Sequence, residues 1–278
     1  MQMPTPRYAV VEGDRRLAYD ECSPAQPEGT ILLLIGLGAK RLAWWKQLSV
    51  LGQHFRTLAV DYRDIGDSDP YPEPYALADQ ARDLNAFLLA VGAPRVHVVA
   101  ISMGGFVAQE LVLRYPERVQ SLVLTATSRG GASHVYPARE VLEILLSREK
   151  IEPGALSQKM YTAMTFPGHF ERFPQDWERV AEIARYKPVR AEAYQRQLQS
   201  AIPADTTDRI EQVRVPTLVV HGEQDPLVPL INGQRLAASI PGAQLVLFES
   251  CGHIPPLEQP GRYNEEVLAF LRRVSASS

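Results

Sequence analysis

The chain alternates between short apolar, β-branched runs and longer stretches in which apolar residues return every three or four positions. The short runs are Tyr8–Val11, Leu17–Asp20, Thr30–Ile35, Thr57–Val60, Val96–Ala100, Ser121–Thr125, Thr217–His221 and Gln244–Phe248, and they predict eight strands. Runs such as Leu32-Leu33-Leu34-Ile35 are apolar without alternation, as in strands covered on both faces. Over Leu77–Val91 the spacing puts Leu77, Ala81, Leu84, Leu88 and Val91 on one helical face. Further helices are predicted near Leu42–Leu51, over Phe106–Leu113, near Leu230–Ile240 and near Arg262–Val274. Strands alternating with helices predict an α/β fold: an opening hairpin, then a mostly parallel central sheet with helices on both faces.

The alternation stops once. From Arg129 to Pro203 no strand pattern occurs, and helical stretches are punctuated by Pro137, Pro153, Pro167, Pro174 and Pro188. This divides the chain into a core, residues 1–128 and 204–278, and an inserted helical segment, residues 129–203. Most apolar and aromatic residues of the insertion serve to hold its small helices together. A minority facing the core would wall an apolar pocket. Met160, Met164, Phe166 and Trp177 are the candidates, together with Trp44 of the first helical stretch.

Composition narrows the field. The length suits one large α/β domain carrying an insertion. With 45% hydrophobic and 22% charged residues the chain has enough apolar side chains for a packed core, which excludes a disordered class. A net charge of −3 gives no electrostatic basis for binding nucleic acid or a membrane surface. Cys22 and Cys251, far apart in sequence, make no disulfide framework. The first thirty residues show no apolar stretch of signal-peptide length, and no apolar run is long enough to span a bilayer, so the expected location is the cytoplasm. No His, Cys and Asp residues stand at metal-ligand spacing, and Gly36-Leu37-Gly38 lacks the third glycine of a dinucleotide loop. The expectation is chemistry without metal or cofactor. Oligomeric state is left open.

Three segments carry that chemistry. Val98-Val99-Ala100-Ile101-Ser102-Met103-Gly104-Gly105 passes from a buried strand to a helix through Ser102, and a turn so tight requires small neighbours, here Ala100 and Gly104. Asp225 follows the Thr217–His221 strand, and His253 follows the Gln244–Phe248 strand. A serine hydroxyl needs a base to take its proton as it attacks, and an imidazole suits that role. Asp225 would accept from the second imidazole nitrogen and fix the tautomer. Glu223 is the alternative acid; Pro226 favours Asp225 by biasing its backbone toward an extended form. No carboxylate follows the strand after the nucleophile, where Thr125-Ala126-Thr127-Ser128 stands.

In this Ser, Asp, His order the chain resembles the α/β-hydrolase superfamily, in its esterase, lactonase and small C–C hydrolase branch. The resemblance runs nearly the whole length. It includes Leu32-Leu33-Leu34-Ile35-Gly36-Leu37-Gly38, the turn Asp61-Tyr62-Arg63-Asp64-Ile65-Gly66-Asp67-Ser68, and the ending Gly252-His253-x-Pro255-x-Leu257-Glu258-x-Pro260. Ile35 stands where relatives carry His, Asp64 where they carry Gly, and Ala100 where the elbow usually has Gly. The resemblance implies an α/β-hydrolase fold, a helical cap formed by the insertion, and a triad of Ser102, Asp225 and His253. It also implies an oxyanion hole from the backbone N–H groups of Leu37 and Met103. The expected activity is hydrolysis of a small apolar carboxylic ester or lactone through an acyl-enzyme. C–C bond hydrolysis uses the same triad, and a noncatalytic ligand-binding receptor uses the same fold. Relatives with an Asp nucleophile, the haloalkane dehalogenases and related epoxide hydrolases, are set aside by Ser102.

Overall fold

The computed structural model describes residues 3–146 and 153–276; residues 147–152 of the expected insertion and both chain ends lie outside the described residues. Eight strands form one sheet: β1 (Arg7–Val10), β2 (Arg16–Cys22), β3 (Thr30–Leu34), β4 (Arg56–Val60), β5 (Val96–Ile101), β6 (Val119–Thr125), β7 (Thr217–Gly222) and β8 (Gln244–Phe248). Their order is β1-β2-β4-β3-β5-β6-β7-β8. β1 pairs antiparallel with β2 and β2 with β4, and every other pairing is parallel. Each predicted strand is present. β5 and β7 are buried along their whole length, which explains their unbroken apolar runs, whereas β1 at the sheet edge buries only Ala9. Each fully buried Val, Leu or Ile contributes roughly 1.5–3 kcal/mol. These strands therefore supply much of the folding energy.

The helices in chain order are α1 (Trp45–Leu51), α2 (Leu77–Ala90), α3 (Met103–Arg114), α4 (Arg139–Leu146), α5 (Pro153–Met164), α6 (His169–Arg172), α7 (Pro174–Arg185), α8 (Ala191–Ala201), α9 (Leu230–Ser239), α10 (Pro255–Glu258) and α11 (Pro260–Ala276). In α2 the predicted face of Leu77, Ala81, Leu84 and Leu88 is buried. Asp79 accepts the Ala76 N–H at 2.9 Å, satisfying one donor at the start of that helix. The helix predicted from Leu42 instead opens as a tight 3-10 turn over Arg41–Trp44. There Asp61 Oδ1 accepts the Arg41 N–H at 2.7 Å and pins the backbone.

β3 has β4 on one side and β5 on the other, so the direction in which successive strands are added reverses at β3. At such a switch point the loops beyond the carboxyl ends of the two strands part and leave a crevice. Gly36 follows β3 there, and Ser102 follows β5.

Helices α4 to α8 fill the stretch between β6 and β7. The two ends of that stretch meet: Gly131 donates to the Ala204 carbonyl and Thr206 to the Arg129 carbonyl, both at 2.9 Å. Gly130 is required at this junction, with φ at 72° and a Cβ that would sit 1.9 Å from the Ala204 oxygen. Ala193, Val189 and Ala201 pack against the core, and polar contacts add to them. Asp64, in the left-handed region at φ 68°, accepts hydrogen bonds from Arg190 and from Arg196 at 2.6 and 2.9 Å. Asp67 pairs with Lys187 and accepts from the Tyr186 hydroxyl. Lys46 pairs with Asp176 at 2.6 Å.

Candidate active site

Ser102 stands between β5 and α3 with φ 57° and ψ −125°, a conformation that L residues rarely adopt. Its neighbours hold it there. The Ser102 N–H donates to Thr125 O at 2.9 Å, and its carbonyl accepts from the Gly105 N–H and the Thr127 hydroxyl, both at 2.8 Å. Gly104 is forced, since a Cβ there would lie 2.6 Å from Leu34 O. Ala100 is buried within the sheet without strain at its backbone, so a methyl is accepted where the usual motif has glycine.

β7 and β8 bring the acid and the base together. A Cβ on Gly222 would fall 1.9 Å from Gly252 O, so the ends of the two loops touch only because position 222 is glycine. His253 Nδ1 lies 2.9 Å from Asp225 Oδ2, and both side chains are buried. The other oxygen, Oδ1, accepts the N–H groups of Leu227 and Val228, each at 2.9 Å. Burial alone would raise the Asp225 carboxyl. Electrostatic attraction to the His253 ring and the hydrogen bonds from His221 and His253 outweigh it and hold the group down at about 2. Glu223, the alternative acid, is exposed to solvent.

Two residues to which sequence reading gave no role complete this arrangement. His221 Nε2 donates to Val228 O at 2.8 Å and lies 3.3 Å from Asp225 Oδ2. A histidine ending an otherwise apolar strand was the available signal. Glu258 is buried, and its carboxylate accepts the N–H groups of Gly252, Ile254 and Phe166 at 2.9, 2.9 and 2.7 Å. It thus clamps the backbone on both sides of His253. The His253 N–H itself donates to Met164 O at 2.7 Å, at the end of α5.

Ser102, Met103, Leu37 and His253 line one cavity of about 820 Å³, walled largely by apolar side chains. Leu37 sits in a turn in which Ala39 donates to Gly36 O at 3.2 Å and Gly38 has φ 64°. Gly38 N–H donates to Gln197 Oε1 at 2.7 Å. Leu37 N–H meets no acceptor among the described residues. Met103 opens α3, so its N–H has no partner within the helix.

Of the expected pocket residues, Trp44, Met160 and Met164 line this cavity, as does Trp45. Phe166 and Trp177 do not. The Phe166 backbone is drawn toward Glu258, and Arg172 lies 5.8 Å from its ring; the Trp177 ring packs edge-on against Phe170 at 5.8 Å. These two aromatics belong to the packing of the insertion. Their apolar, aromatic character alone could not separate the two roles in sequence. Among the described residues no group of three His, Cys, Asp or Glu side chains could hold a metal ion. No helix among them is long and apolar enough to cross a membrane.

The sequence model of the family described as alpha/beta hydrolase fold matches residues 29–260. The chain is 33% identical over 267 residues to a presumptive carbamate hydrolase, RutD, of Variovorax paradoxus, covering 94% of this chain and 97% of that protein. It is 27% identical to a 3-oxoadipate enol-lactonase of Acinetobacter baylyi, covering 85% and 86%. Among solved structures, a thermophilic esterase from Thermogutta terrifontis superposes with a TM-score of 0.83 at 25% identity, covering 98% of this chain and 100% of that one.

Proposed function

We propose that this chain, which belongs to the α/β-hydrolase family, is a serine hydrolase of apolar carboxylic esters or lactones. One observation carries the reading: a serine in a strained elbow lines the same apolar cavity as an imidazole whose far nitrogen is held 2.9 Å from a buried carboxylate. In this account Ser102 Oγ attacks the acyl carbon while His253 Nε2 takes its proton. Asp225 keeps the imidazole in the tautomer that leaves Nε2 free. The negative charge that develops on the acyl oxygen is met by the N–H groups of Leu37 and Met103. His253 then gives its proton to the departing alcohol oxygen, leaving an acyl-enzyme on Ser102. Water, deprotonated in turn by His253, releases the acid. A lactone follows the same course with its leaving hydroxyl still attached. Residues 129–203 act as a cap over the core formed by 1–128 and 204–278, with Met160, Met164 and Trp44 lining the acyl pocket.

A panel of nitrophenyl esters of rising acyl length, simple lactones and an aryl carbamate tests the reading. Turnover of apolar esters or lactones, poor turnover of esters with a charged acyl group, and loss of all of it in Ser102→Ala are expected. No turnover across the panel, or turnover that survives Ser102→Ala, contradicts it.

A further inference from the structure

The inserted segment does more than roof the cavity: we infer that Gln197 of α8 is a positioning residue that holds the oxyanion loop in its working shape. The inference rests on the serine-hydrolase reading above. The turn Gly36–Ala39 has three internal N–H groups. Ala39 donates within the turn, Gly38 donates to Gln197 Oε1 at 2.7 Å, and Leu37 is left for a substrate oxygen. A flip of the Leu37–Gly38 peptide would withdraw the Gly38 N–H from Gln197, so this hydrogen bond holds that peptide plane and anchors Leu37 on its carboxyl side, fixing where the turn places the Leu37 N–H of the preceding peptide. Gly38, at φ 64°, has no side chain to resist such a flip. The same loop is tied to the insertion a second time. Lys40 Nζ donates to the carbonyls of Ile183 and Lys187, at 2.6 and 3.2 Å, and to that of Tyr186, at the carboxyl end of α7. A cation there also suits the negative end of the helix.

Gln197 is an odd choice for stability. It lies on the buried face of α8 among Ala193, Tyr194 and Leu198, and none of its surface is exposed. Its Oε1 has the Gly38 N–H, but its Nε2 is buried with no partner among the described residues. A buried amide satisfied on one side costs folding energy that a leucine or methionine would avoid. What the amide adds is the acceptor aimed at Gly38.

The test uses p-nitrophenyl butyrate as substrate and butylboronic acid as a mimic of the tetrahedral adduct, in the full chain. Wild-type turnover abolished by Ser102→Ala comes first; its absence would overturn the serine-hydrolase reading and this inference with it. Given that turnover, Gln197→Met, which keeps the volume and removes the acceptor, is expected to lower kcat at least tenfold with KM within threefold. The inhibition constant of the boronic acid should rise by a similar factor. Gln197→Asn, which stays polar but draws the acceptor back by one methylene, should show the same pattern and decides the matter if the methionine variant does not fold. Either variant turning over within twofold of wild type would overturn the inference while leaving the serine-hydrolase reading in place. So would a loss of kcat with unchanged boronic acid inhibition, the mark of a merely structural role.

Discussion

The sheet and the inserted helices are held by different forces. Along β3, Ile31, Leu32, Leu33 and Leu34 are fully buried, and β5 and β7 are apolar except where His97, Thr217 and His221 interrupt them. Apolar burial is non-directional and follows the local pattern of the chain. The insertion packs Ala193, Val189 and Ala201 against that core and adds a set of charges and amides: Arg190 and Arg196 on Asp64, Lys187 and Tyr186 on Asp67, Lys40 on the α7 carbonyls, Gln197 on Gly38. Polar contacts of this kind are directional, and at the buried carboxylates of Asp64 and Asp67 losing a partner leaves a charge without its match. The strands therefore set the fold, and the inserted helices are aligned on it by specific contacts at Gly38, Lys40, Asp64 and Asp67.

The comparison breaks or sharpens under mutation. The largest effect is expected where the two regions meet the reaction. Asp225→Asn should leave the protein folded and lower kcat by about 10⁴, the cost of favouring the wrong imidazole tautomer. Glu223→Gln should stay within threefold of wild type, and the reverse ranking in steady-state kinetics would move the acid. Next comes the core. Leu33→Ala, at a fully buried position of β3, should cost about 3 kcal/mol in denaturant unfolding. A loss under about 1 kcal/mol would mean that the sheet interior is not the main source of stability.

Acid gives a middle-sized effect. Asp225 is held at about 2 in the folded protein, below its value in the unfolded chain. Its contribution is thus complete above about pH 4 and lost as the pH falls toward 2. Wild type should lose about 2 kcal/mol more than Asp225→Asn between pH 5 and pH 2. Parallel loss in the two proteins would remove Asp225 from the acid transition. The most local effect belongs to the insertion. Asp64→Asn keeps a residue that tolerates positive φ and removes the buried charge that Arg190 and Arg196 share, at a cost of about 2 kcal/mol. Amide exchange should speed up in α8 and stay unchanged in β3 and β5. Equal acceleration in the strands would show that core and insertion open as one unit.

The same division explains what the sequence could tell. All eight strands were legible because burial on both faces writes itself as apolar runs. The elbow at Ser102 was legible because a strained turn demands small neighbours. The Asp225 and His253 loops could be placed because each follows such a strand. Contacts between distant parts of the chain leave no local period, so Glu258 clamping the His253 loop and Gln197 reaching Gly38 were hidden. The same limit misplaced Phe166 and Trp177, whose aromatic character fits a pocket wall and a helix–helix contact equally well. Asp64 was visible as a departure from the family turn; only the fold shows that Arg190 and Arg196 converge on it.

The most direct measurement is the site of covalent labelling. Wild-type protein treated with an alkyl fluorophosphonate, digested and mapped by mass spectrometry should carry one adduct, on the peptide containing Ser102. His253→Ala should label far more slowly, because the hydroxyl has lost its base. An adduct on another serine, or labelling of Ser102 at the same rate with and without His253, would contradict the account.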